Sequence, residues 1–307
     1  MHSGGSQATD SQAAGSRTAR YRELANDHPC FSQGAHGRKG RLHLPVSGHC
    51  NIRCRFCERA FNSNEQRPGV SSGLLAPGKA LEIVAKALEL CPDIKVVGIA
   101  GPGDALASPA ALDAFAEIHR AHPELIKCLS TNGLALPGKA RALAAVGVRS
   151  ATVTVNAVDP KIAGDIVSYI VYENKAYRGA EAGEILVRRQ LAGIREAVRE
   201  GIAVKINTVL IPPVNGRHIE DIARAVAAEG AHMHNIIPLI PQSEFARMAP
   251  PSCEEIENAR AVAGEYMPQF RHCAHCRADA CGVPGVSDFS GLLYAEGGLS
   301  RDTFSHG

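Results

Sequence analysis

Apolar residues recur along this chain in two rhythms. Short runs rich in Val and Ile alternate with longer stretches whose apolar positions return every three to four residues. The short runs predict strands over 41–47, 94–99, 125–130, 150–156, 202–209 and 233–237. The longer ones predict helices over 77–90, 109–121, 138–146, 183–200 and 217–229, with a last helix at about 253–266. In the fourth helix, AGEILVRRQLAGIREAVREG, the helical spacing ends on Gly201. Strands alternating with helices imply βαβ units, a parallel sheet and right-handed crossovers. Six such units are two short of a closed eightfold barrel, so the prediction is an α/β, partial (βα)6 TIM-like barrel, with an open doubly wound sheet as the alternative. Residues 1–26 are rich in Ser, Gly, Gln and Ala and lack a period, which predicts a disordered arm before a core over 27–285 and a tail over 286–307. The stretch 160–180 predicts an irregular insertion between the fourth strand and its helix.

Composition narrows the function classes. Lys and Arg number 33 against 31 Asp and Glu, a net charge of +2, so no basic field points to nucleic acid. Aromatics are only 5% and Trp is absent, a poor basis for stacking bases. No apolar run approaches the ~18 residues of a membrane span, and the polar N-terminus is no secretory signal. The exception is cysteine: ten of them, at 30, 50, 54, 57, 91, 128, 253, 273, 276 and 281. Without an export signal they predict reduced thiols in a cytoplasm, used for metal or redox chemistry.

The strongest signal is Cys50-Asn-Ile-Arg-Cys54-Arg-Phe-Cys57, a C-x3-C-x2-C just past the first predicted strand. Four-iron cubanes normally take four cysteines. Three leave one iron without a protein ligand, and an open coordination position marks a reactive metal site. A zinc knuckle is the competing reading, but zinc patterns favour C-x2-C pairs with a distant second pair.

Polar groups gather where the other strands end. Gly98-Ile-Ala-Gly-Pro-Gly-Asp104 follows the second strand, with Gly101 and Gly103 permitting close backbone approach and Asp104 able to accept from an ammonium. Ser130-Thr131-Asn132-Gly133 follows the third strand, Asn156 ends the fourth and Asn207 the fifth. Ile237-Pro-Leu239-Ile-Pro241 follows the sixth and suits an adenine face. Taken singly, each Asn reads as a turn or cap residue. Together they converge on the carboxyl ends of the strands, where barrel active sites lie.

Further soft-metal ligands flank this set: His28-Pro-Cys30, His43 within the first strand, Cys128 in the third, and Cys273-Ala-His-Cys276-Arg-Ala-Asp279. Thiolate with imidazole is a common ligand set for iron–sulfur or zinc. Cys128 and His43 lie on adjacent predicted strands and can approach if both point inward. Cys91, at a helix end, Cys253, at a helix start, and Cys281 read as non-ligands.

The triplet after a first barrel strand resembles the radical S-adenosylmethionine (SAM) superfamily, in which the open iron chelates SAM and an electron cleaves its sulfonium to a 5′-deoxyadenosyl radical. The combination is more specific. HPC at 28–30, AH-x-R-x-GR-x-HLPV-x-x-x-CN-x-x-C-x-x-C at 35–57, NE-x-RPGV at 64–70, AGPGDALA at 100–107, STNGL at 130–134, NAVDP at 156–160, VLIP at 209–212, NIIPLIP at 235–241 and C-x-x-CRADA at 273–280 resemble the NifB family over about residues 28–281. The chain length resembles its short, archaeal form without a C-terminal carrier domain.

The resemblance implies an oxygen-sensitive cytosolic enzyme with three [4Fe-4S] clusters: one on Cys50, Cys54 and Cys57 that binds SAM, and two auxiliary clusters that are substrate. One SAM methylates a cluster sulfide, a second yields the radical that abstracts hydrogen from that methyl, and the two clusters fuse around a carbide into the eight-iron precursor of the nitrogenase cofactor. Implied partners are an electron donor such as ferredoxin or flavodoxin, iron–sulfur cluster donors, and cofactor carrier and scaffold proteins, with neither nucleic acid nor membrane. Expected auxiliary ligands are Cys30, His43, Cys128, Cys273 and Cys276, with Cys273 and Cys276 sharing one cluster and His43 and Cys128 the other. One departure stands out: where the family carries a cysteine before RPGV, this chain has Ser63 and one residue fewer, so either a ligand is absent or a nearby group substitutes, with Glu65 the candidate and a solvated loop carboxylate its competing reading. Two other readings compete: a radical SAM enzyme with auxiliary clusters acting on a small organic or peptide substrate, and a non-enzymatic cluster carrier.

Overall fold

A computed structural model describes residues 21–294 and 299–300. Six parallel strands carry the sheet: β1 (Gly40–His43), β2 (Ile94–Ile99), β3 (Ile126–Thr131), β4 (Val148–Thr154), β5 (Ala203–Leu210) and β6 (Met233–Pro238). They pair in chain order, and a two-residue strand, β7 (Cys281–Gly282), adds antiparallel to β1. The helices α1 (Ala80–Leu90), α2 (Ala110–Ala121), α3 (Ala140–Ala145), α4 (Pro160–Ile166), α5 (Gly179–Arg199), α6 (Ile219–Ala228) and α7 (Cys253–Gly264) alternate with the strands. The result is a curled partial (βα)6 barrel, as the two periods predict.

The strand period of two sorts side chains by layer. On β5, Val204, Ile206 and Thr208 are buried on the helix side, while Lys205, Asn207 and Val209 face the barrel interior. On β4, Thr152 and Thr154 face inward, followed by Asn156. The main core lies between sheet and helices and includes Val97, Ile99, Phe115, Ile118, Val153, Ile194, Val204 and Ile206.

Three features differ from the sequence-based expectation. The arm expected over 1–26 lies outside the described residues for 1–20, but residues 21–27 are helical. Leu24 and Phe31 are buried against Val96, Ile126 and Ala203, so this segment plugs the amino-terminal floor of the barrel. The insertion at 160–180 is regular: it contains α4, capped by Asp159, whose carboxylate accepts from the backbone N–H groups of Lys161 and Ile162. A hairpin of Val167–Tyr172 and Lys175–Tyr177 follows, turning at Glu173 and Asn174, both with positive φ. The described part of the 286–307 tail is also ordered, with Leu299–Ser300 paired to Leu74–Leu75.

The open side of the barrel is bridged. Residues 268–270 run beside β6, with His234 N donating to Pro268 O (2.9 Å) and Phe270 N to His234 O (2.7 Å). Twelve or so residues later the chain reaches β1 through Arg41↔Gly282 and Leu42↔Cys281. The segment carrying Cys273 and Cys276 therefore spans the gap between the first and sixth strands. No helix among the described residues is long and apolar enough to cross a membrane.

Candidate active site

A cavity of about 360 Å³ occupies the barrel interior and opens at the carboxyl ends of the strands. Cys50, Cys54 and Cys57 form part of its wall. The hairpin after α4 fixes them: Ile52–Cys54 pairs antiparallel with Val167–Ile170, and Arg55 N donates to Ile166 O (3.0 Å). From the other side the loop after β2 docks on the triplet. Gly103 N donates to Ser47 O (2.5 Å) and Asp104 N to His49 O (2.7 Å), and a Cβ on Gly103 would collide with the His49 carbonyl.

Asp104 ties this loop to the end of β3. Its carboxylate accepts from Leu106 N (2.8 Å), Asn132 N (2.5 Å) and the Thr131 hydroxyl (3.0 and 3.1 Å). Three donors already engage its two oxygens, the one Thr131 hydroxyl lying between both, so Asp104 is a structural knot first. Asn132 Nδ2 reaches Asn51 Oδ1 at 2.7 Å and lies 3.8 Å from Cys50 Sγ. Gln190 of α5, not singled out in the sequence, supports this corner by donating to Asn132 O (2.7 Å) and Thr154 O (2.8 Å). Asn156 and Asn207 line the cavity; Asn156 Oδ1 accepts from Val209 N, and Asn207 Oδ1 accepts from Asn235. Ile237 lines it too, whereas Leu239 turns into a core with Phe245 and Gly101 stands behind the wall.

Burial shapes the thiols. It pushes Cys50 up to about 12, with the Asp104 carboxylate adding to the effect, and raises Cys54 and Cys57 as well. Without metal these are neutral buried thiols; a bound cation deprotonates a coordinating thiol outright. Three such thiols on one wall, beside a hydrogen-bonding Asn and with no fourth cysteine in the loop, fit a cluster with one open iron.

Deeper in the barrel lies a second ligand set. Cys30 rises from the floor plug, Cys128 stands three residues into β3, His43 ends β1, and Cys273 and Cys276 come from the bridging segment; all five line the same cavity. Gly98 makes room for two of them: a Cβ there would be 2.9 Å from Cys128 Sγ and 3.0 Å from His43 Cδ2. Burial lifts the Cys30 thiol to about 11, with Cys276 and Cys273 both contributing, and Cys30 and Cys276 likewise raise Cys128. Cys30 lines the same cavity as both the expected Cys273/Cys276 pair and the expected His43/Cys128 pair. Arg41 reaches Cys276 Sγ at 3.4 Å.

His43 is preset for metal. Its Nδ1 faces the Arg277 carbonyl at 2.8 Å, so Nδ1 carries the proton and donates, leaving Nε2 a free lone pair. Burial, with Arg41 nearby, lowers its pKa to about 4, which keeps that lone pair available at neutral pH. Among the described residues no three His, Cys, Asp or Glu side chains close on one ion-sized point. A cubane does not require this, because each ligand binds a different iron.

Glu65 is not brought into the cavity. Its carboxylate accepts from Arg67 Nε (2.6 Å) and Asn62 Nδ2 (2.9 Å) on an exposed loop. That loop is held by the Arg-Ala-Asp following Cys276: Arg277 donates to the carbonyls of Glu65 (2.7 Å) and Asn62 (2.6 Å), and Asp279 accepts from Ser72 N (2.6 Å). Histidines 36, 272 and 275 and Lys205 also line the cavity and had no place in the sequence-based site. Period-two alternation from Asn207 back to Lys205 could have found the lysine.

The radical SAM superfamily profile matches residues 44–226. The chain is 45% identical over 269 residues to the FeMo cofactor biosynthesis protein NifB of Methanocaldococcus infernus, covering 87% of this chain and 89% of that one. It is 45% identical over 271 residues to the Klebsiella pneumoniae protein of the same name, covering 86% of this chain and 58% of the relative. In fold it resembles methylornithine synthase PylB (TM-score 0.51, 12% identity, 98% of this chain and 86% of that one). It also resembles a radical SAM methyltransferase from Sphaerobacter thermophilus (TM-score 0.52, 19% identity, 75% and 64%). Superfamily membership implies SAM and a [4Fe-4S] cluster. The chain belongs to the NifB family, the radical SAM enzymes of FeMo-cofactor biosynthesis.

Proposed function

We propose that this chain is a carbide synthase. It methylates a sulfide of an auxiliary [4Fe-4S] substrate cluster and abstracts hydrogen from that methyl with a 5′-deoxyadenosyl radical; loss of the remaining hydrogens gives a carbide, around which the two substrate clusters fuse, with one added sulfur, into an eight-iron precursor. The supporting observation is one cavity with two ligand sets: the triplet Cys50, Cys54 and Cys57 at its mouth, and Cys30, His43, Cys128, Cys273 and Cys276 within it. When bound to the triplet, a [4Fe-4S] cluster supplies the electron that cleaves SAM. The chain's own residues do the rest. Asn132 and Asn156 line the mouth with amide groups, Ile237 and Pro238 give SAM an apolar wall, and Gly103 lets backbone approach closely. Burial excludes water from the radical's path.

The inner set suits a substrate that must leave. A ligand set that mixes imidazole with thiolate is more exchangeable than four thiolates, so the clusters are held without being trapped. The electron donor is a ferredoxin or flavodoxin, iron–sulfur donors load the substrate clusters, and carrier and scaffold proteins take the product. Purified, cluster-loaded protein added to a cofactor-free nitrogenase maturation mixture should restore nitrogenase activity. Failure with all clusters and SAM present would overturn the assignment in favour of a different radical SAM reaction.

A further inference from the structure

Two buried groups of the cavity wall, Lys205 and His28, are left over once the ligands are assigned. Lys205, on β5, is only 5% exposed and lines the cavity. Its ammonium donates one long hydrogen bond, to Cys30 O at 3.3 Å, and stands over the rings of Phe270 (5.0 Å) and Phe31 (5.6 Å). Among the described residues no carboxylate lies within ion-pair reach of it. Burying a charge without a partner is costly, and aromatic faces offset only part of that cost. The second group is His28, 2% exposed on the floor plug. Its Nδ1 accepts from Cys30 N at 3.1 Å, so the ring proton sits on Nε2, and that N–H is buried with no partner among the described residues. The ring is clamped edge-on by Phe31 at 4.8 Å, which leaves it little freedom to seek another partner.

The two residues meet at Cys30: Lys205 donates to its carbonyl oxygen and His28 accepts from its backbone N–H. A buried ammonium with no carboxylate partner and a buried N–H with no acceptor, both on the cavity wall, describe half of an anion site. The missing half must be negative and must accept a hydrogen bond from within the cavity. An iron–sulfur cluster held by thiolates meets both conditions, being net anionic with basic sulfides on its surface, and it gains further negative charge on reduction.

Resting on the carbide-synthase reading above, we infer that Lys205 and His28 form an anion-binding floor for a substrate cluster, Lys205 as its counter-charge and His28 Nε2–H as a hydrogen-bond donor to one of its sulfurs. The pair is distinct from the His43 arrangement. His43 presents a lone pair and suits iron, whereas His28 presents a proton and suits sulfur. Positive charge and N–H···S bonds stabilise the reduced cluster, so the floor raises that cluster's reduction potential.

The test is an anaerobic redox titration followed by paramagnetic resonance on fully loaded wild type and the variants Lys205→Met, Lys205→Arg and His28→Phe. The SAM-responsive signal serves as the internal reference. Lys205→Met and His28→Phe should each move an auxiliary signal to more negative potential while the SAM-responsive one stays in place, and Lys205→Arg should restore the wild-type value. Loss of auxiliary iron in Lys205→Met that Lys205→Arg recovers, with the SAM-responsive cluster intact, supports the floor as well. Unchanged auxiliary potentials at full iron content overturn it, as does iron loss that Lys205→Arg does not repair. Wild-type protein with no auxiliary cluster at all would instead sink the underlying functional reading together with the floor.

Discussion

Arg277 and Asp279 form a bidentate ion pair sealed from solvent, with Arg277 Nε 2.8 Å from Asp279 Oδ1 and a terminal nitrogen 3.0 Å from Oδ2. The pair is anchored through its remaining hydrogen bonds to the loop at 62–72, so it joins the segment bearing Cys273 and Cys276 to the chain just past the triplet. Breaking one partner leaves a buried, uncompensated charge, which costs about 3–5 kcal/mol. Asp279→Ala should therefore destabilise the protein by that order in chemical denaturation and expose residues 62–72 to protease. A loss under 1 kcal/mol with no new cleavage would show that the pair does not hold the loop.

The triplet and the inner set should be separable. Cys54→Ala is expected to abolish formation of 5′-deoxyadenosine from SAM and dithionite while auxiliary iron persists. Cleavage that survives the substitution would remove Cys54 from the site.

His43→Ala should change the paramagnetic spectrum of one auxiliary cluster and leave SAM cleavage measurable, because Nε2 faces the inner cavity and not the triplet. A spectrum identical to wild type would return His43 to the core.

Gly98 leaves room beside both Cys128 and His43. Gly98→Ala places a methyl 2.9 Å from Cys128 Sγ and 3.0 Å from His43 Cδ2, so one of them must shift. Overpacking of this kind costs about 1–3 kcal/mol. The expected result is reduced auxiliary iron with SAM cleavage retained, read by iron quantification beside a cleavage assay; full iron occupancy would contradict it.

Acid sensitivity has an assignable source. His234 is fully buried, its Nε2 2.8 Å from the Thr208 hydroxyl and its Nδ1 unpartnered among the described residues. Burial lowers its pKa to about 4 from the usual 6.5. The unfolded chain takes up this proton first, so folding stability is lost as pH falls from about 6.5 toward 4. The loss is at most about 3 kcal/mol. His234→Gln, compared with wild type at equal iron content, should flatten that acid limb in denaturant titrations; parallel limbs would assign it elsewhere.

Much of this was legible from the chain alone, for physical reasons. Parallel strands buried on the helix side leave dense Val and Ile runs, and α1 to α3, α5 and α6 announce themselves by period, so the barrel and its order could be read locally. The triplet was legible because its spacing is the chemistry. Contacts made by very short strands were not. Nothing in Cys281-Gly282 advertises a pairing with Arg41 and Leu42 some 240 positions earlier, yet that pairing brings Cys273 and Cys276 to Cys30. The 167–172 run VSYIVY has strand composition, but its partner is only three residues long, so the hairpin that grips the triplet read as irregular. Glu65, Gly101 and Leu239 show the opposite failure: motif position put them in the site, while ion pairing or packing turns them away from the cavity.

The account stands on a cluster held by Cys50, Cys54 and Cys57 with one iron open to SAM, next to substrate clusters in the same cavity. Anaerobic iron and sulfide quantification with paramagnetic spectroscopy, with and without SAM, tests this most directly. The predicted result is iron for three four-iron clusters, of which SAM alters the signal of one. Zinc alone at those thiols, or iron whose spectrum ignores SAM, would contradict it.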